Sequence, residues 1–238
     1  MTRLLHRKVL VVGATGGVGE GIVRALLERG ATVIAVSRSA EKLDDLRTYL
    51  ADAPSGELVP FVARVDQDEQ ASAHLYRQLR QQFDIVDSVV IAVGNWGEAN
   101  VPLLDVTDRI WAQSIADNLT SQFRAIRTLT PLINPATGSL VHINGLSADL
   151  PFPGAALIGL TGAAMKSLVV TLAKECGPAG PRIYELILGV IRTRQRERQG
   201  QNNPAWFTAY EVGQYVAGLV TGENPMVRET LHYLVQRE

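Results

Sequence analysis

Short apolar runs alternate with longer amphipathic stretches along the whole chain. The runs Lys8–Val12, Thr32–Val36, Leu58–Arg64, Val86–Ala92, Gly138–Ile143, Arg182–Leu188 and Arg228–Val235 are dominated by Val, Ile and Leu. Continuous apolar runs of this length read as strands covered on both faces. Between them, apolar residues recurring every three to four positions predict helices over Gly17–Arg29, Ala40–Ala51, Asp68–Gln82, Thr107–Ile133, Ala155–Glu175 and Thr208–Thr221. Gly30 closes the first of these, and Pro131 stands near the end of the fourth. The alternation predicts an α/β fold: a doubly wound, mostly parallel seven-stranded sheet with helices on both faces, in a single domain over 1–238. One segment departs from the pattern. Arg192–Asn203 has no apolar residue and is expected as a solvated loop, with 192–207 acting as a polar lid.

The first strand runs into Gly13-Ala14-Thr15-Gly16-Gly17-Val18-Gly19 and then a helix. A turn this tight needs glycine, and a pyrophosphate must approach bare backbone. The helix N-terminus supplies N–H groups and the positive end of its dipole. In this position the loop predicts a Rossmann-like dinucleotide site, with 1–97 as the cofactor half and 98–238 as the active-site half. The second strand ends in Ser37-Arg38, where NAD-preferring proteins place a carboxylate on the ribose. Arg38 would instead pair a 2′-phosphate, so NADP(H) is expected over NAD(H); the plain alternative is a surface arginine at a strand end.

Ala155–Glu175, AALIGLTGAAMKSLVVTLAKE, resembles the active-site helix of the short-chain dehydrogenase/reductase family. In that family a Tyr and a Lys four residues later carry the acid–base work. Aligned on Leu172, Ala173 and Glu175, the Tyr position is Ile158 and the Lys position Gly162. The resemblance covers essentially the whole chain. The spacing of Gly13, Gly17 and Gly19 is the family's, with Thr15 and Val18 inside the loop, although Val12 stands where Thr is usual. Asp66 matches an Asp on the adenine amine; its alternative is a helix N-cap. Gly94 is what remains of an Asn-Asn-Ala-Gly segment, and Gly189 and Thr193 match a segment that touches the nicotinamide. Asn118 matches the helix Asn of the family's tetrad, whereas the Ser position is Gly145.

Three of the four catalytic roles therefore fall on residues with no side-chain proton, and such assistance is worth about 10²–10⁴-fold. Gly145, Ile158 and Gly162 are expected to enlarge the cleft. Ser147, two residues past Gly145, is the candidate replacement, with Lys166 and Asp149 nearby; the alternative makes Asn144, Ser147 and Asp149 turn residues before Pro151 and Pro153. Tyr210 and Tyr215 reach the cleft only if the polar loop folds over. His142 and Asn144 share a strand face opposite Gly145. The favoured expectation is a catalytically degenerate NADP(H)-binding protein, the cofactor weakly held because the Lys is missing. The alternative is an active oxidoreductase, or a non-redox enzyme on a small apolar ligand, with a site rewired around Asn118 and Ser147. The resemblance also implies a homodimer or homotetramer through the helices at 107–133 and 155–175.

Composition narrows the setting. The formal net charge is −1, which points away from nucleic acid and anionic membranes. No uncharged apolar stretch reaches a membrane span. The N-terminus MTRLLHRK has no long apolar core, and a single cysteine, Cys176, fits a reducing compartment, so a cytoplasmic location is expected. No metal site is expected.

Overall fold

A computed structural model describes all residues except 1–3, 54, 66–67, 96, 98–99 and 238. Seven strands, β1 Lys8–Val12, β2 Thr32–Ser37, β3 Glu57–Val62, β4 Ser88–Ile91, β5 Ser139–Gly145, β6 Arg182–Leu188 and β7 Leu231–Leu234, form one sheet in the order β3-β2-β1-β4-β5-β6-β7. Every neighbouring pair is parallel. The chain moves outward from β1 in both directions, so the strand order reverses between β1 and β4. Ligands of such sheets bind beyond the strand ends at that reversal.

Helices cover both faces. On one lie α1 Gly17–Glu28, α2 Ala40–Tyr49 and α8 Ala209–Thr221, packed through Ile22, Leu26, Leu43, Leu46, Val212 and Val216. On the other, α3 Glu69–Phe83, α5 Ser121–Leu129 and α6 Ala156–Cys176 bury Leu75, Leu79, Ile126, Leu129, Met165 and Val169. α1 and α8 meet backbone to backbone. A side chain on Gly213 would stand 2.3 Å from the Gly21 carbonyl oxygen, so only glycine fits there. That contact holds the start of α1 beside the start of α8.

Two predicted elements change. The single helix expected over Thr107–Ile133 is α4 Asp108–Ile115, a π-helical turn Ala116–Thr120, α5, and a 3-10 turn Thr130–Leu132. The axis continues, but the wider turn is centred on Asn118. Such turns recur at functional sites because they re-aim a side chain. The polar segment 192–203 is not wholly a loop, because it contains the short helix α7 Arg194–Arg198. Amphipathicity was no guide there, since α7 is fastened by polar contacts. Thr193 caps it through Arg196 N, the Arg196 guanidinium donates to the Ile191 carbonyl at 2.8 Å, and Arg194 pairs with Glu20 at 2.5 Å. The Arg194 guanidinium also lies 4.1 Å from the centre of the Tyr49 ring.

Ala156–Ala179 is long and apolar enough to cross a bilayer by length and composition alone. Lys166, Lys174 and Glu175 interrupt it, which is why no uncharged run of that length exists. In the fold its Leu157, Met165 and Val169 are buried.

Candidate functional site

At the strand reversal, above β1 and β4, opens a cavity of about 450 Å³. Its floor is the glycine turn. Gly13 has φ +80°, and a side chain on it would stand 2.4 Å from the Ala92 carbonyl oxygen. Gly13, Thr15 and Gly16 line the cavity. Gly17, Val18 and Gly19 do not: Val18 packs on the core, and a side chain on Gly19 would meet the Gly13 carbonyl at 2.1 Å. A side chain on Gly17 would stand 2.9 Å from Thr193 Cγ2, so Thr193 lies directly over that residue.

The far wall is cationic and rich in hydroxyls. Ser37, Arg38, Ser39 and Lys42 line it. Thr15 Oγ1 and Ser37 Oγ share a hydrogen bond of 3.0 Å, and Ser39 caps α2 by accepting from Lys42 N at 3.2 Å. Lys42 was not singled out from the sequence. Its signal is its place in the first turn of α2, just past the Ser39 cap that follows Arg38. Asp66 lies outside the described residues; the capping role before α3 belongs to Asp68, which accepts from Ala71 N at 2.9 Å.

Asn118 is buried behind the cavity, between the lining residues Asp117 and Ser121. Its carbonyl accepts from Asn95 N at 2.7 Å and its amide donates to the Asn95 carbonyl at 2.8 Å. It thereby clamps the segment after Gly94, itself a cavity residue. Two Asn are absent from the end of β4, yet Asn95 donates to Asp117 at 2.9 Å and ties that loop to the π turn by another route.

The catalytic side differs from the expected enlarged cleft. A side chain on Gly162 would stand 3.0 Å from Asn144 Oδ1 and 3.4 Å from Ala148 Cβ, so the space is already filled. Asn144 donates to the Gly162 carbonyl at 2.9 Å and to Glu185 Oε1 at 2.7 Å, and accepts from Gly145 N at 2.8 Å. Glu185 Oε2 stands 2.6 Å from His142 Nδ1, and His142 Nε2 stands 2.5 Å from Gln122 Oε1. His142 and Asn144 thus share a face, as the strand period requires, and with fully buried Glu185 they form one polar network. Close approach also explains Gly159, where a side chain would meet the Ser147 carbonyl at 2.9 Å.

Around Gly145 there is room. A Cβ there would have Ser147 Oγ 3.5 Å away. The Ser147 hydroxyl therefore stands close to where a serine at 145 would put its own. Beyond it, Lys166 Nζ donates to Asp149 Oδ1 at 2.5 Å and to Tyr233 OH at 3.0 Å, while Tyr233 donates to Asp149 Oδ2 at 3.0 Å. The hydrogen bond from Lys166 holds the Asp149 carboxyl below its ordinary pKa, and the same bond raises the Lys166 ammonium. Lys166 is thus fixed as a cation. Sequence reasoning reached Lys166 and Asp149 but not Tyr233, which arrives from β7.

The remaining candidates are committed elsewhere. Tyr210 donates to Glu28, which raises its pKa, and Tyr215 shares a hydrogen bond of 2.9 Å with His232 Nδ1. Gly189 is pressed against the tail after β7, where a side chain would meet the Val235 carbonyl at 2.1 Å. Burial pushes the Cys176 thiol up, the opposite of a reactive thiolate. Among the described residues no cluster of three or more His, Cys, Asp or Glu is placed to hold a metal.

A family profile described as short chain dehydrogenase matches residues 7–204. Serine 3-dehydrogenase of Rhizobium radiobacter is 25% identical, over 96% of this chain and 88% of its own. Among solved structures, a short chain oxidoreductase from Pseudomonas aeruginosa, with NADPH bound and containing an atypical catalytic center, superposes with TM-score 0.83 at 20% identity, covering 99% of this chain and 97% of its own. A 3-oxoacyl-[acyl-carrier protein] reductase from Brucella melitensis with bound NAD gives TM-score 0.80 at 23% identity, over 97% and 90%.

Proposed function

We propose, from the premise that this chain belongs to the short-chain dehydrogenase family, that it binds NADP(H) and acts chiefly through that binding rather than through ordinary carbonyl or alcohol turnover. One observation carries the second half: the Gly162 position is filled by Asn144 and Ala148, and the Tyr position is Ile158. At positions 162 and 158 the chain therefore offers neither an ammonium to hold a nicotinamide ribose nor a phenol to move a proton. When bound, the nicotinamide supplies or accepts a hydride; the chain supplies little to the accompanying proton transfer at those two positions.

The cofactor half is supported by fit. Gly13 and Gly16 leave bare backbone for phosphate, and Arg38 with Lys42 suits a 2′-phosphate better than a bare ribose. Losing one charge-assisted contact costs about 1.5–3 kcal/mol. Arg38→Ala and Lys42→Ala should each weaken NADPH by roughly 10–100-fold while barely changing NADH. Fluorescence titration of the purified chain with both nucleotides tests this; equal affinity for NADH and NADPH rejects the preference. Rapid turnover of simple ketones with NADPH rejects the binding role.

One observation favours a second reading, an active oxidoreductase with a rewired site. Ser147 Oγ lies beside the vacant serine position, and Asn118 is held in its π turn. Under that reading Ser147 polarises a carbonyl and water supplies the proton. Loss of a measured activity in Ser147→Ala with unchanged NADPH affinity would establish it.

Self-association through the long helix and α6 belongs to the same proposal. Trp111, Phe123 and Leu160 are exposed on those elements, an apolar surface suited to a second copy.

A further inference from the structure

The cavity that would receive the nucleotide is asymmetric. The residues lining it run from Val12 to Ser121, and none comes from α6, β6 or the segment after it. The residues whose family counterparts meet the nicotinamide end are occupied by the protein itself. Thr193 is packed over Gly17 and caps α7, and α7 is fastened through Arg194 to Glu20 and Tyr49. Gly189 abuts the Val235 carbonyl, and Gly162 abuts Asn144. Recognition groups of high charge and good geometry, Arg38, Lys42, Ser37 and the capped start of α2, all sit at the opposite end.

From this we infer that the site reads the adenosine 2′-phosphate end of its ligand and not the nicotinamide. The ligand class is adenosine 5′-phosphates carrying a 2′-phosphate, with or without a nicotinamide attached. This rests on the NADP(H) reading above and deepens it. A dinucleotide would be held by its adenosine half, so its redox state would not change its affinity. A family enzyme that grips both halves distinguishes them because the nicotinamide ribose and ring add contacts that the isolated adenosine half lacks.

Calorimetric titration of the full chain with adenosine 2′,5′-bisphosphate, NADP⁺, NADPH and NADH tests the inference. The bisphosphate is expected within about tenfold of NADPH, and NADP⁺ within about threefold of NADPH. Arg38→Ala and Lys42→Ala should weaken the bisphosphate and NADPH by the same factor. A bisphosphate more than about tenfold weaker than a well-bound NADPH overturns the inference and leaves the NADP(H) reading standing. So does a difference above about threefold between NADP⁺ and NADPH. If NADH binds as well as NADPH, or no nucleotide binds, the NADP(H) reading fails and the inference with it.

Discussion

Asn144 donates to the main-chain carbonyl of Gly162 at 2.9 Å, and its own carbonyl oxygen stands 3.0 Å from where a side chain on Gly162 would begin. The place a lysine stem would need is therefore a packed hydrogen-bonded contact, not a hole. Gly162→Lys should destabilise the fold by about 1–3 kcal/mol through overpacking. Gly162→Ala should lie within about 1 kcal/mol of the parent, because the gain in helix propensity offsets the tight contact. Thermal melts of the two variants check this; a Lys variant as stable as the Ala variant would show that Asn144 yields freely. Restoring Tyr at 158 together with Lys at 162 should consequently fail to install family-like turnover.

Beneath that contact, Glu185 and His142 are wholly buried and 2.6 Å apart. Removing one member leaves the other's polar group buried without its hydrogen-bond partner, at a cost of about 1–3 kcal/mol. Glu185→Ala and His142→Ala should each lose that much in urea unfolding. Glu185→Leu with His142→Phe together should lose less than the sum, since no orphaned polar group remains.

The Lys166–Asp149 pair sets a pH dependence that can be worked through. Asp149 titrates below its ordinary value, chiefly through the hydrogen bond from Lys166. Its contribution is present above the unfolded value of about 4 and is lost as pH falls through the lower folded value. Lys166 is raised, so its contribution is present below about pH 10.4 and is lost as pH rises through the folded value. Both side chains are partly exposed, at 23% and 26%, so the pair is worth no more than about 1 kcal/mol. Asp149→Asn should cost that much between roughly pH 5 and 9 and close to nothing in strong acid. Denaturant unfolding across that range provides the check.

Glu20 behaves in the opposite sense. Burial raises its pKa, and the pairing with Arg194 only partly counters this. A raised folded value means that Glu20 contributes stability below about pH 4.3, which is lost as pH rises through the folded value. At pH 7 its ionised form is a burden. Glu20→Gln should therefore leave neutral stability unchanged or raised by up to about 1 kcal/mol. Amide exchange in 193–200 should nonetheless accelerate, because α7 loses its ion pair. Unchanged exchange there would show that Arg194 is held by Tyr49 alone.

Much of the fold was legible. β6 falls on its predicted limits, and α6 starts and ends one residue later than predicted. The reason is physical: a strand covered on both faces writes a continuous apolar run, and an amphipathic helix writes its period, whatever else surrounds them. The π turn at Asn118 was not legible, since one extra residue in a turn barely disturbs that period. Nor was α7, whose cohesion comes from Glu20 and Tyr49, far away in sequence.

By itself, the sequence determined the doubly wound sheet, the glycine turn at its reversal, the cation after β2 and the absence of Tyr at 158 and Lys at 162. Each is a local pattern or a single identity, fixed by backbone sterics and side-chain chemistry at one place. Only the tertiary structure decided what those absences mean. Asn144 fills the space at Gly162, Ser147 lies beside Gly145, and Tyr233 joins Lys166 and Asp149. These contacts join different strands and helices, and which side chain enters a given space is set by close packing across the sheet.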